Sequence, residues 1–185
     1  MFGVVLRNDT LFVVEGNYDF TLYDWQGKYL GKRFQPKIRH TVNFFLVPNT
    51  DLFLGHVDNF TGQKKVRFVF FRDTTAIKTI PVTEKLEPAS PMVVYSIPTE
   101  MKAFDGLVHA FKEAFNDTMY QVDESLNLVP YAVVELGKYK ATKEAMFACT
   151  AEQLMKKWDF FNGKIALAAT GEKDGIIYLA HHDVT

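Results

Sequence analysis

Three aspartates, Asp24, Asp73 and Asp123, stand 49 and 50 residues apart, each closing a short run rich in apolar and aromatic residues. The runs end as Tyr23-Asp24, Phe71-Arg72-Asp73 and Val122-Asp123. A period of this length marks a repeat whose unit is one supersecondary structure, too small to bury its apolar faces alone. Leu179 to Asp183 reads as a fourth such position, 60 residues on, with an insertion taking up the extra length.

Within each period, short strand-like runs alternate with turn residues. The first unit has Phe2–Leu6, Thr10–Glu15, Asp19–Asp24 and Lys28–Phe34, separated by Asn8-Asp9, Gly16-Asn17 and Asp24-Trp25-Gln26-Gly27. The second has Thr41–Val47, Asp51–Val57, Lys65–Arg72 and Ala76–Val82, and the third Met92–Ile97, Gly106–Phe115, Thr118–Val122 and Leu128–Leu136. Gly163–Ala169 and Ile176–Ala180 follow, around a turn at Gly171–Gly175. Connections this short make sequential strands antiparallel neighbours, so each unit is a four-stranded meander. The 17 Phe and 8 Tyr agree, because flat rings suit a pleated, half-buried surface.

The fold class is therefore all-β: about three and a half β-propeller blades in one domain over residues 1–185. The blades fall at about 1–36, 40–84, 91–137 and 160–185. A helical insertion is expected over 141–159, where Thr150-Ala151-Glu152-Gln153 forms a capping box and Leu154 and Trp158 share a face. A plain β-sandwich is the competing arrangement, since it also uses short strands and frequent turns.

The run Phe115-Asn116-Asp117-Thr118-Met119-Tyr120-Gln121-Val122, continuing through Pro130-Tyr131 to Glu135-Leu136-Gly137-Lys138-Tyr139-Lys140, resembles a blade of bacterial six-bladed β-propellers of the TolB-like type. Tyr23-Asp24-Trp25-Gln26-Gly27-Lys28 is similar to a hairpin of such blades and of NHL-type repeats. The resemblance implies a binding or scaffolding role in the periplasm or at the cell surface. It also implies six blades, more than this chain holds, so a longer protein, or a ring completed by self-association, is expected. No signal peptide is recognised in the sequence, and a cytoplasmic location stays open.

Chemistry-bearing motifs are sparse. Net charge is −1, with no basic stripe to release counterions from a phosphate backbone, which argues against nucleic acid as a partner. No apolar run is long enough for a membrane-spanning helix. A lone cysteine, Cys149, cannot form an intrachain disulfide or a CxxC site. His40, His56, His109, His181 and His182 show no metal-ligand spacing, and the adjacent last two point to opposite faces of a strand. There is no phosphate-binding loop and no nucleophile elbow around Ser90, Ser96 or Ser125. The repeated aspartates read as turn residues whose side chains accept backbone N–H bonds. Asn8-Asp9-Thr10, Asn59-Phe60-Thr61 and Asn116-Asp117-Thr118 match a glycosylation sequon but read as turns. No catalytic, cofactor-binding or metal residue is assigned.

The expected function is non-catalytic binding of a protein, peptide or glycan. The alternative is a hydrolase or lyase acting on a glycan or peptide at a channel mouth, which needs titratable residues converging from different blades. The longer connections, Gln35–His40, Thr83–Pro91, Thr99–Asp105 and Lys138–Thr150, are the expected places for binding residues.

Overall fold

A computed structural model describes residues 3–16, 18–38, 41–47, 49–57, 64–83, 99–101, 111–113, 117–140, 164–174 and 176–184. The fold is all-β and antiparallel, and the described residues form three four-stranded meanders and one hairpin. Among the described residues the only helical segment is a 3-10 turn at Gly137–Tyr139. The helix expected over 141–159 lies outside the described residues, as do His40, His109 and Cys149. The chain divides into two compact units, Met1–Asp58 with Val66–Pro81, and Asn59–Lys65 with Val82–Thr185.

The first unit holds two sheets. One is β1 (Gly3–Arg7), β2 (Thr10–Val14), β3 (Phe20–Asp24) and β4 (Tyr29–Phe34), each paired to the next. The other is β5 (Thr41–Leu46), β6 (Phe53–Val57), β7 (Val66–Arg72) and β8 (Thr75–Pro81), in the same meander order. Turn chemistry sets the register. Arg7 pairs with Thr10, so Asn8 and Asp9 form a two-residue turn, with φ of 45° and 58°. Asn and Asp tolerate this left-handed region, and it matches the twist of the flanking strands.

The β3–β4 turn is a five-residue loop closed at both ends. Asp24 N–H donates to the Lys28 carbonyl at 2.9 Å and Gly27 N–H to the Asp24 carbonyl at 3.0 Å, with Gly27 at φ 88°. The Asp24 carboxylate accepts the amides of Gln26 and Lys28 at 3.1 and 2.8 Å. The β2–β3 turn repeats the backbone pattern, from Glu15 to Asp19, with Tyr18 in the left-handed position at φ 66°. Glu15 is one methylene too long to cap its own turn, and its carboxylate instead accepts the Thr21 hydroxyl.

The two sheets pack face to face. Phe12, Val14, Phe20 and Leu22 of the first sheet and Phe53, Val57, Val69 and Phe71 of the second form one buried cluster. Phe20 sits at its centre, within 6.4 Å ring to ring of Phe12, Phe34, Phe44, Phe53 and Phe71. The central strands of the second sheet, β6 and β7, are buried on both faces. Leu54, His56, Phe68 and Phe70 alternate with the cluster residues along β6 and β7 and are themselves 0–6% exposed.

The second unit contains β9 (Thr99–Met101), β10 (Phe111–Glu113), β11 (Thr118–Val122) and β12 (Leu128–Val133) in meander order, and a hairpin of β13 (Lys164–Lys173) and β14 (Ile176–Val184). The β11–β12 turn is the β3–β4 turn again: Asp123 accepts the amides of Ser125 and Asn127 at 2.9 and 2.7 Å, with Leu126 left-handed at φ 58°. Met119 is buried, with Tyr131, Ala132 and Ile177 packed against it. Pro130, which lacks an N–H, stands on the edge strand β12 beside a bulge, where no ladder bond is lost.

Four local expectations change. Asp73 does not open a turn like Asp24 and Asp123: Arg72 pairs with Thr75, leaving Asp73 inside a two-residue turn at φ 49°. Asp183 is not a turn residue, since it pairs with Ile165 inside β14. The run Gly171–Gly175 is not all loop: Gly171, Glu172 and Lys173 continue β13 past a bulge, opposite Tyr178, Ile177 and Ile176. Only the Asp174-Gly175 pair lies between the strands, with Asp174 at φ 52°. Thr99–Met101, expected within a loop, is strand β9 against Phe111–Glu113, and Met92–Ile97 lies outside the described residues.

Two tests follow from close approach and turn strain. A Cβ on Gly55, in the middle of β6, would collide with the Thr41 methyl and come within 3.1 Å of the Phe44 ring. Gly55→Ala is therefore expected to cost on the order of 1–3 kcal/mol in urea denaturation, and an unchanged midpoint would refute this. Gly27 and Leu126 occupy the same left-handed turn position, which costs a residue with a Cβ about 1–2 kcal/mol. Gly27→Ala should lower the melting temperature and Leu126→Gly should not; shifts of the same sign would overturn the equivalence of the two turns.

Candidate functional site

Both meanders of the first unit turn at a common end. The Arg7 guanidinium, closing β1, donates to the Asp51 carbonyl in the β5–β6 loop at 3.1 Å, which ties the two sets of turns together. That loop is held by its own bonds: Val47 N–H to the Leu52 carbonyl at 2.8 Å, the Thr50 hydroxyl to the Val47 carbonyl at 2.7 Å, and Leu52 N–H to the Thr50 hydroxyl at 3.1 Å.

At this end the space between the sheets opens into a cavity of about 570 Å³, lined by Arg7, Asn8, Thr10, Phe12, Leu22, Gly31, Lys32, Phe34 and Asp73. Its floor is the end of the aromatic cluster, Phe12, Leu22 and Phe34. Its rim carries Arg7 from β1, Lys32 from β4 and Asp73 from the β7–β8 turn. Lys32 shares a wall with Phe34 because residues two apart on a strand share a face. Gly31, at φ 73° and with no atom within 4 Å of where a Cβ would stand, leaves that wall open. Neither Lys32 nor Asp73 makes an ion pair among the described residues, and both line the cavity.

Beside the cavity lies a convergence of charge from two meanders. Arg72 grips the Asp51 carboxylate through two nitrogens, Nη2 at 2.6 Å and Nε at 2.5 Å. The hydrogen bond from Arg72 holds the Asp51 carboxyl below the ordinary value of 3.8, with the charges of Arg72 and Arg7 acting in the same direction. An aspartate held ionised between arginines, which do not release protons near neutrality, is an ionic clamp and not an acid–base pair.

His56 is buried in β6 against the Phe68 ring, 5.4 Å between centroids. His181 and His182 lie on β14 opposite Leu167 and Ala166. Among the described residues no group of three His, Cys, Asp or Glu side chains could hold a metal ion, and no helix is long and apolar enough to cross a membrane. The sequence pointed to the longer connections for binding and singled out Asn8 and Asp73 of the cavity only as turn residues. The one local signal is Lys32, a cation two residues from the buried-face Phe34.

Asp51 carries a pH dependence of defined sign. Its carboxyl is depressed on folding, so the clamp contributes stability above pH 3.8 and loses it as pH falls through the lower folded-state value. Carboxyl-detected NMR should place the Asp51 midpoint below 3.8, and Arg72→Leu should raise it; an Asp51 midpoint that ignores Arg72 would refute the clamp.

In comparisons with known proteins, no family model, no curated protein and no solved structure matches this chain.

Proposed function

We propose that this chain is a non-catalytic binding module whose ligand seats in the mouth between its first two meanders. The observation that carries this reading is the cavity itself: an apolar floor, a few charged groups on the rim, and a volume within the roughly 300–1,000 Å³ usual for small-ligand sites. Rigid sheets hold the walls, and the rim charges stand at the end of β1, on β4 and on the β7–β8 turn. The hydrolase or lyase reading calls for several converging titratable groups, whereas the cavity lining carries one carboxyl, Asp73, and no imidazole.

The setting rests on the resemblance to TolB-like blades: an exported bacterial propeller, with the ligand met in the periplasm or at the cell surface. The outward face of the first sheet supports a role as one blade among others. Val4 and Leu6 on β1 are 49% and 60% exposed there, as on a blade whose neighbour is supplied by more of the same protein or by a second copy.

The test is a panel of short peptides and oligosaccharides screened by ligand-observed NMR. At least one member should bind, and Lys32→Trp, which fills the mouth from an exposed position, should weaken it by about tenfold (1.4 kcal/mol) with the melting temperature unchanged. Binding that ignores the filled mouth, or none across the panel, sinks the proposal.

A further inference from the structure

From the distribution of charge around this mouth we infer that the ligand is a short apolar peptide with both ends free, its carboxylate against Arg7 and Lys32 and its ammonium against Asp73. The inference rests on the binding reading above and adds the ligand's chemistry.

The two signs come from different sheets. Arg7 and Lys32 belong to the first meander, whereas Asp73 stands on the β7–β8 turn of the second. A bare anion would gain from the two cations and be repelled by Asp73; a bare cation would meet the reverse. A ligand carrying one charge of each sign, set apart, satisfies all three groups. A chain advances about 3.3–3.6 Å per extended residue, so two or three residues separate the termini without outgrowing the cavity.

The floor selects the body. Phe12, Leu22 and Phe34 offer apolar surface, and side chains of the leucine or phenylalanine kind would bury against it. A sugar ring placed there would set hydroxyls against that surface, where each unpaired polar group is costly. This favours a peptide over a glycan. Arg7 is steadied for its part because one nitrogen is already held by the Asp51 carbonyl, leaving the rest of its donor fork free.

The experiment titrates the protein with leucyl-phenylalanine, its N-acetyl form, its C-terminal amide and the doubly blocked form, by calorimetry. The free dipeptide should bind tightest, and each block should weaken it by about tenfold, as expected where charged hydrogen bonds are partly screened by solvent. Asp73→Asn should weaken the free dipeptide similarly yet leave the affinity of the N-acetyl form unchanged. Lys32→Met should weaken the N-acetyl form and leave the amide unchanged. If the doubly blocked form binds as tightly as the free one, the charge assignment falls and the binding reading stands. If none of the four binds, the inference falls, and the wider panel alone decides the binding reading.

Discussion

The first unit depends on the burial of Phe20 between two sheets. Neither meander could persist alone, since a four-stranded sheet with two open faces has too little buried area to offset the entropy of ordering its chain. Phe20, Phe53 and Phe71 are each at most 1% exposed and stack or tilt against one another within 6 Å. Each buried ring contributes roughly 1.5–3 kcal/mol through area, with ~0.5–1.5 kcal/mol more for well-placed pairs. The tight turns, the closed loop at 47–52 and the Arg7 bridge hold strands at the spacing this packing requires.

That packing explains why the second meander differs in composition from the first. β6 and β7 are buried on both faces and read as nearly continuous apolar runs, Phe53-Leu54-Gly55-His56-Val57 and Phe68-Val69-Phe70-Phe71. β2 keeps the alternation of a half-exposed strand. Gly55 fits the same logic: a strand covered on both sides has room for a neighbour's side chain only where its own is missing. His56 is the polar exception, accommodated against an aromatic ring.

The meanders were legible in the sequence because their signals are local. Asn8-Asp9 and Asp24 to Gly27 announce turns by residue type, and in the first two meanders the strand limits fall within two residues of those the alternation implies, whereas β10, β12, β13 and β14 depart from them by three to five residues. Where the reading failed, a distant partner decided. Asp73 looks like Asp24 in sequence, but the pairing of Arg72 with Thr75 makes its turn two residues long. Thr99–Met101 has no strand pattern of its own and exists as a strand through Phe111–Glu113. Asp183 kept the spirit of the repeat in its spacing alone, since β14 runs straight through it.

The candidate site was the least legible feature, for a related physical reason. Its floor residues are core residues by every sequence criterion: Phe12, Leu22 and Phe34 belong to the alternation that builds the sheet. They line a cavity only because the sheets stop meeting at the turn-bearing end, and no single strand encodes where two sheets part. The charges follow the same rule. Lys32 and Asp73 lie 41 residues apart in sequence on different meanders, and each alone reads as ordinary solvated polarity. Brought to one rim over an apolar floor, they form a dipolar mouth, a property of the packing between repeats rather than of any one repeat. The repeat unit can therefore keep its structural pattern while the charges at the seam between two meanders vary.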